Sequence, residues 1–262
     1  MKSFERLVLS YLKDITDPLL DPRQFAYRAN RSVDDAVNMA LHFILQHLDS
    51  PGSYARILFL DHGLPDRQTA VGMHVSDLQH ISTGSPQGCV LSPLLFSLYT
   101  NGCTSGHQSV KLLKFADDTT LIGLIFDGDK SAYKGEMDRL VSWCSMNNLE
   151  LKSLKTMEMT SGRTQPPSPV ILCDSPVTSV ESFRFLGTTI TKDLKWEQNI
   201  RSLTKKAQQR MYFLWQLKKF LLPVKMSVNF YTAIIESILH HSLVCCSYSQ
   251  GQSQTAACHP LS

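Results

Sequence analysis

Three aspartates stand where this sequence could do chemistry. Asp117 and Asp118 are adjacent and interrupt a largely apolar stretch over residues 110–125, and Asp61 ends a separate apolar run over 55–61. Neighbouring carboxylates repel each other, and burial raises their pKa values unless a cation balances them. Oxygen ligands of this kind suit Mg²⁺, and two such ions can support phosphoryl transfer. The alternative interpretation is a solvated turn, because acidic residues are common in turns.

The surrounding elements must bring these carboxylates together if they act jointly. Residues 55–61 are expected to form a buried strand and residues 110–125 a hairpin. Ser32 and Asp35 have the spacing of a capping box, which opens a helix. Because strands and helices alternate without a regular βαβ order, the sequence predicts an α+β fold with a largely antiparallel sheet and packed helices. Helices are expected over 1–16, 33–48, 91–99, 131–146, 196–221 and 224–241, and strands over 156–160, 170–173 and 183–190.

Composition excludes several classes of protein. The chain has 262 residues and is 43% hydrophobic, which is enough for a packed core and argues against wholesale disorder. It contains no uninterrupted apolar run of the length that a membrane span needs. Seven cysteines without regular spacing argue against a disulfide framework. The N-terminal apolar stretch is too short for a secretion signal. We therefore expect an intracellular protein, nuclear or cytoplasmic, that is not secreted and does not engage a membrane.

Several motifs, in order, resemble the reverse transcriptase of non-LTR (LINE-type) retrotransposons. The main match is FADD at 115–118, preceded by STGSPQGCVLSP at 82–93. QFAYRANRS at 24–32 is similar to the fingers-side motif, and LFLD at 58–61 to the start of the first catalytic motif. NLEL at 148–151, with Lys155, is similar to the fourth palm motif, and FRFLG at 183–187 to the primer grip. The resemblance covers about residues 3–244.

This resemblance implies an RNA-directed DNA polymerase. Asp61, Asp117 and Asp118 would be the catalytic and metal-binding residues, holding two Mg²⁺ ions for nucleotidyl transfer from a deoxynucleoside triphosphate to a DNA primer on an RNA template. Nucleotide or template contacts are implied for Gln87, Gly88, Arg28, Arg31 and Lys155. For Arg28, Arg31 and Lys155 a solvated charge is the alternative. The implied domains are partial fingers (1–54), palm (55–191), partial helical thumb (192–244) and a disordered tail (245–262).

The C-terminal helices carry the charge asymmetry of the chain. From Lys192 to Lys225 there are nine basic residues and two acidic ones, with aromatic residues between them. In the resembled family this region is the thumb that grips the template–primer duplex, which implies nucleic-acid binding by Lys205, Lys206, Arg210, Lys218 and Lys219. A solvated face over an aromatic core is the alternative interpretation.

The sequence departs from the family after Asp61. Only 20 residues separate Asp61 from Ser82, where the family places a helix and further strand structure. The residues HGLPD that follow Asp61 have turn chemistry and lack the aromatic wall of the sugar pocket. We therefore expect a truncated, internally deleted reverse transcriptase of impaired activity, in which the sheet has lost a covering helix and exposes an apolar face.

Three other interpretations are compatible with the sequence. One is a non-catalytic nucleic-acid-binding protein that uses the basic helices. A second is an iron-dependent dioxygenase, since His47-Leu48-Asp49 fits half of a facial iron triad and residues 196–239 resemble a short N-terminal segment of AlkB-type tRNA-modifying proteins. The third is a genomic relic without a selected role.

Overall fold

The structure is a computed structural model that describes residues 2–63, 88–162, 169–220 and 223–239. Its helices are α1 (Lys2–Thr16), α2 (Val33–Leu48), α3 (Ser92–Tyr99), α4 (Ser131–Met146), α5 (Glu197–Lys218) and α6 (Val224–Phe230), which continues into a π-helical segment, Tyr231–Glu236. Short 3₁₀ segments cover Asp17–Leu19 and Ser153–Lys155. In this part of the chain no helix is long and apolar enough to cross a membrane.

A mixed, mainly antiparallel sheet forms the centre of the fold. Its strands run in the order β2-β3-β1-β5-β8, and β4 also pairs with β1. Among the strand pairs of the described residues, β5–β8 alone is parallel. The α+β prediction is therefore confirmed. The strands are β1 (Ser53–Gly63), β2 (Val110–Phe115), β3 (Asp118–Phe126), β4 (Glu150–Leu151), β5 (Met157–Ser161), β6 (Ile171–Leu172), β7 (Ser175–Pro176), β8 (Thr178–Ser179), β9 (Ser182–Phe185) and β10 (Thr188–Thr191).

Strand β1 lies between two hydrophobic cores. Its side chains alternate between the two faces of the sheet, as the strand period requires. Leu58 and Leu60 join the core that contains α4, whereas Ile57 and Phe59 join the core that contains α2. Residues 53–60 are all buried. The expectation of an exposed apolar sheet face is therefore wrong for the described residues, because α4 and α2 cover the two sides.

Helix α2 begins at the capping box that the sequence predicts. The backbone N–H of Asp35 donates to the Ser32 hydroxyl, and the Asp35 carboxylate accepts from the backbone N–H of Ser32. This exchange satisfies two N–H groups that the first helical turn leaves without partners. The buried side of the helix is Ala36, Val37, Ala40, Leu41 and Ile44.

Residues 183–190 form a hairpin rather than the single strand expected. Strands β9 and β10 pair antiparallel, with Phe185 opposite Thr188. The two turn residues, Leu186 and Gly187, have φ values of 48° and 93°. Positive φ at both positions is the sign pattern of a type I′ turn, which matches the twist of the strands it joins.

Several charged residues lie inside the apolar runs and are paired there. Arg56 and Glu158 are buried and joined by two hydrogen bonds, Nε to Oε1 at 2.8 Å and Nη2 to Oε2 at 2.5 Å. The Tyr133 hydroxyl donates to Oε1 of the same carboxylate at 2.9 Å. Lys114 is likewise buried and lies 2.9 Å from the Asp21 carboxylate. These pairs tie β1 to β5, and β2 to the segment before α2.

Candidate active site

Asp61 of β1 and Asp118 of β3 are partners in the antiparallel register. Directly opposed side chains on one face of such a pair lie about 4.5–5.5 Å apart at Cβ. By strand alternation both carboxylates belong to the face that carries Phe59, two residues before Asp61. The prediction that distant segments bring these two carboxylates to a shared place on the sheet is therefore confirmed.

Asp117 belongs to the tight turn between β2 and β3. Phe115 pairs with Asp118, so Ala116 and Asp117 form a two-residue loop. Ala116 has φ of 57°, a backbone conformation that costs a residue with a side chain about 1–2 kcal/mol. Asp117 is exposed and is held in the turn, next to Asp118. It is not itself part of the Asp61–Asp118 strand pair.

The carboxylates repel one another. The pKa of Asp118 is raised above its ordinary value, first by partial desolvation and then by the negative charges of Asp117 and Asp61. A cation near the group would offset that repulsion. Lys155 supplies one positive charge, with its Nζ 3.3 Å from Oδ2 of Asp61.

The backbone around Asp61 explains the position of Lys155. The backbone N–H of Lys152 donates to the carbonyl oxygen of Asp61 at 3.0 Å. Strand β4 pairs with the residues that follow, His62 and Gly63. The 3₁₀ segment Ser153–Lys155 then turns the chain back over the end of β1. Lys155, expected from its motif to lie near the triphosphate, is thus held beside a predicted catalytic carboxylate.

A cleft opens beside the Asp61–Asp118 pair, toward the β9–β10 hairpin. The ring of Phe59 stacks on Phe183 with centroids 3.7 Å apart, and Phe185 lies 5.6 Å away in a tilted arrangement. This aromatic contact fixes the hairpin against β1. The cleft has a volume of about 90 Å³ and is lined by Phe59, Leu60, Asp61, Asp118, Thr119, Thr120, Lys155, Phe183, Arg184, Phe185 and Leu186.

The donor set suits a divalent cation, although the ligands are not gathered into a closed cage. Among the described residues, no three His, Cys, Asp or Glu side chains form a cluster ready to hold a metal ion. Asp61 and Asp118 provide two opposed carboxylates, and Asp117 lies next to them in the turn. Mg²⁺ binds through one or two carboxylates plus water and substrate phosphates, so this set fits it.

Of the other predicted nucleotide and template contacts, Arg28, Arg31 and Gly88 are not among the described residues that line the cleft. Arg28 donates to the backbone carbonyls of Asp21 and Asp17 at 2.9 and 3.0 Å, which holds the segment before α2. The Arg31 guanidinium lies 5.3 Å from the centroid of the Phe25 ring. Gly88 is exposed and has φ of 81°, while Gln87 lies outside the described residues.

The predicted nucleic-acid-binding residues sit on α5 and its C-terminal end. Lys205, Arg210 and Lys219 are exposed, and Lys206 is half-buried; the side chain of Lys218 lies outside the described atoms. Because successive helical residues are rotated by about 100°, Lys205 and Lys206 face different directions. The described side chains of this set therefore do not form one continuous face.

Among the cleft residues that the sequence analysis does not assign to the site, Arg184 and Phe59 stand out. Arg184 belongs to the motif FRFLG, and Phe59 to the motif LFLD in the strand expected over 55–61. The motif FRFLG is the sequence signal for Arg184. Side chains alternate along strand β9, so Phe183 and Phe185 lie on one side and Arg184 on the other. The structure shows that this hairpin lines the cleft next to the carboxylates.

The His47-Leu48-Asp49 triplet has a structural role in the described part of the chain. His47 Nε2 lies 2.9 Å from the carbonyl oxygen of Ile125, which links the end of α2 to β3. Asp49 is exposed at the C-cap of the helix. This arrangement accounts for the histidine without an iron site.

Comparisons with known proteins agree with the motifs. The model of the family "Reverse transcriptase (RNA-dependent DNA polymerase)" matches residues 1–190, and a second model, "Alkylated DNA repair protein alkB homolog 8, N-terminal", matches 196–237. In Drosophila melanogaster, the probable RNA-directed DNA polymerase from transposon BS is 25% identical over 268 residues, covering 83% of this chain and 29% of the relative. The polymerase of the X-element is also 25% identical, over 77% of this chain and 27% of the relative. That of the mobile element jockey is 22% identical over 92% of this chain and 31% of the relative.

This chain thus spans less than a third of the length of these relatives. The first family model covers most of the chain, including all three aspartates and all of the β9–β10 hairpin except its last residue, Thr191. The resemblance to non-LTR retrotransposon enzymes is borne out by these relatives. The chain belongs to the reverse transcriptase (RNA-dependent DNA polymerase) family, in its non-LTR, LINE-type group.

Proposed function

We propose that Asp61 and Asp118, with Asp117 beside them, form the catalytic centre of an RNA-directed DNA polymerase. Its substrates would be a DNA primer, an RNA template and deoxynucleoside triphosphates. The observation that carries the proposal is the opposed register of Asp61 and Asp118 beside an open cleft. In this proposal residues 1–54, 55–191 and 192–244 serve as fingers, palm and thumb, and the protein acts inside the cell.

The side chains around the cleft divide the work of binding and orientation. Two Mg²⁺ ions held by the carboxylates would supply activation of the primer 3′-hydroxyl and charge neutralisation at the pyrophosphate. Lys155, beside Asp61, offers a cation for the triphosphate. Arg184, on the opposite wall, offers a cation for the primer backbone. The Phe59–Phe183 stack keeps that wall at a fixed distance from the carboxylates.

We further propose that this polymerase is internally deleted and impaired. The alignments with the BS and jockey polymerases run over 268 and 292 residues, which is longer than the 262-residue chain itself. Positions of both relatives therefore lack a counterpart here. The short interval between Asp61 and Ser82 is where the motifs suggest the loss. Residues 64–87 lie outside the described part of the chain, so the support comes from the sequence alone.

Primer extension with the full chain tests both proposals. The assay uses an RNA template, a labelled DNA primer and Mg²⁺, and compares the parent chain with Asp118→Asn, Asp117→Asn and the control Asp138→Asn. Asp138 is an exposed carboxylate on α4, away from the cleft. We expect feeble extension that the first two variants abolish and the control retains. Robust extension would refute impairment, and extension that persists in Asp118→Asn would refute the assigned centre.

A second function, nucleic-acid binding without polymerisation, is favoured by the charge of the C-terminal helices. Between Glu197 and Glu236 the sequence has no acidic residue and seven basic ones. Duplex binding through this region would weaken steeply with salt, because bound phosphates release counterions. Reversing the charge of Lys205 and Lys206 together should weaken it, whereas Asp117→Asn should not. Unchanged binding after charge reversal would exclude this region as the site.

A further inference from the structure

One side of α5 combines positive charge with exposed aromatic rings. Residues at alternating spacings of four and three lie on one helical face, and here those residues are polar or aromatic throughout. We name this face the α5 stripe; it consists of Arg201, Lys205, Gln208, Tyr212, Trp215 and Lys219. All six are exposed, and Lys219 continues the helix with φ of −64° and ψ of −22°. The stripe is about 27 Å long at 1.5 Å per residue.

The rings of the α5 stripe are open to solvent. Tyr212 and Trp215 each keep 57% of their surface exposed. Their centroids are 6.3 Å apart with the ring planes tilted by 38°, so neither ring covers the face of the other. The ammonium of Lys219 lies 4.3 Å from the centroid of Trp215, on one face of the indole. The cation therefore contacts the indole, and more than half of the surface of Trp215 stays exposed.

The opposite side of α5 faces the body of the protein. Leu203 is buried and Leu214 half-buried, and by helical rotation they lie more than 100° away from the stripe. The Asn199 side chain accepts a hydrogen bond from the backbone N–H of Thr189, which ties the start of α5 to strand β10. The α5 stripe is thus directed outward and is not the face that anchors the helix.

The positive charge of the α5 stripe indicates which kind of partner it can bind. It carries three cations, of which Arg201 pairs with Glu197 at 3.8 Å while Lys205 and Lys219 have no ion pair among the described residues. A purely apolar partner would have to desolvate these charges at a cost of several kcal/mol. A polyanion that also offers planar rings satisfies both the cations and the aromatic faces.

We propose that the α5 stripe binds unpaired, single-stranded nucleic acid. Tyr212 and Trp215 stack on successive unpaired bases, and Lys205 and Lys219 contact the phosphates on either side. In a duplex the base faces are already stacked on each other, so only an unpaired strand presents them to the rings. This inference extends the proposed function and rests on one part of it, namely that the chain binds nucleic acid. It does not require polymerase activity.

The test measures equilibrium binding by the full chain. The probe is a labelled single-stranded RNA of about 12 nucleotides, compared with the same RNA annealed to its complementary DNA. Trp215→Leu and Tyr212→Leu keep an apolar side chain and remove the ring. Each should weaken single-strand binding on the order of tenfold and leave binding of the hybrid within about twofold.

Two further variants keep the result interpretable. Phe213→Leu is the matched control, since Phe213 is a neighbouring aromatic residue of similar exposure, 51%, that lies off the stripe by about 100°. Lys219→Gln removes a stripe cation and should weaken binding while reducing its salt dependence. Thermal melts show that each variant folds. Equal losses for the single strand and the hybrid, no loss in either, or the same loss in Phe213→Leu would overturn the proposal. Because extension is not measured, an inactive polymerase would leave this result unaffected.

Discussion

Asp61 lies directly opposite Asp118 across the antiparallel β1–β3 pair, on the face where Phe59 stacks against Phe183. Like charges in this position destabilise a sheet. The chain therefore keeps an electrostatically unfavourable pair next to a cleft that is lined by Lys155 and Arg184. Strain that persists in an otherwise well-packed sheet points to a role for these carboxylates beyond folding.

The first prediction concerns this repulsion. The folded-state pKa of Asp118 is raised, so the folded chain loses stability as the pH rises from the ordinary carboxyl value, 3.8, through the raised one. Asp118→Asn removes the charge and should raise the melting temperature at pH 7 in EDTA. The gain should shrink toward pH 4 and vanish below the ordinary pKa. Thermal melts across this range measure it, and a parent chain more stable than Asp118→Asn at pH 7 would contradict it.

The second prediction concerns the buried ion pair between Arg56 and Glu158. Glu158→Ala leaves the Arg56 guanidinium buried without its carboxylate, and should lower the free energy of unfolding by about 3–5 kcal/mol. Tyr133→Phe removes one hydrogen bond to the same carboxylate and should cost about 1 kcal/mol. Urea denaturation measures both.

A double variant is the control for this network. Replacing Arg56 and Glu158 together by methionine removes both charges, and should cost less than Glu158→Ala alone. If the double variant costs as much as Glu158→Ala alone, or more, the pairing argument fails.

The third prediction concerns the turn that carries Asp117. Ala116 occupies a positive-φ conformation that glycine adopts without steric cost. Ala116→Gly should therefore stabilise the chain by about 0.5–1 kcal/mol, after the larger backbone entropy of glycine in the unfolded state is subtracted. The matched control is Ala132→Gly in α4, which should destabilise by about 1 kcal/mol. A loss of stability in both variants would show that the turn is not strained.

The fourth prediction concerns the cysteines. Burial raises the pKa of Cys103 to about 11 and that of Cys144 to about 12, whereas Cys173 is exposed. Because the thiolate is the reactive form, iodoacetamide at pH 8 should modify Cys173 quickly and spare the two buried thiols in the native chain. Peptide mass spectrometry reads each site separately. Modification of Cys144 at the rate of Cys173 would show that the α4 core opens readily.

Local patterns predicted much of this fold. The bounds of α4 follow from helical periodicity, and the start of α2 follows from the Ser32–Asp35 capping box. Both signals lie within short stretches of sequence. The convergence of Asp61 with Asp118 followed from the order of the motifs rather than from either strand alone. The hairpin at 183–190 was missed because Leu186 at positive φ gives no turn signal.

The pairing of residues far apart along the chain could not be predicted from the sequence. Arg56 and Lys114 stand inside runs that count as apolar, and their partners are 102 and 93 residues away along the chain. No local rule connects such positions. The separation of Lys205 from Lys206, in contrast, needs only the helical repeat, and the stripe of Tyr212, Trp215 and Lys219 could have been found in the same way.

The central claim is that Asp61 and Asp118 hold a divalent cation, and metal titration tests it most directly. Mn²⁺, which substitutes for Mg²⁺ at oxygen sites and is visible by electron paramagnetic resonance, is titrated into the full chain. We predict saturable binding that weakens at least on the order of tenfold in both Asp61→Asn and Asp118→Asn and is retained in Asp138→Asn. Equal binding by the parent chain and Asp118→Asn, or equal loss in Asp138→Asn, would contradict the assignment.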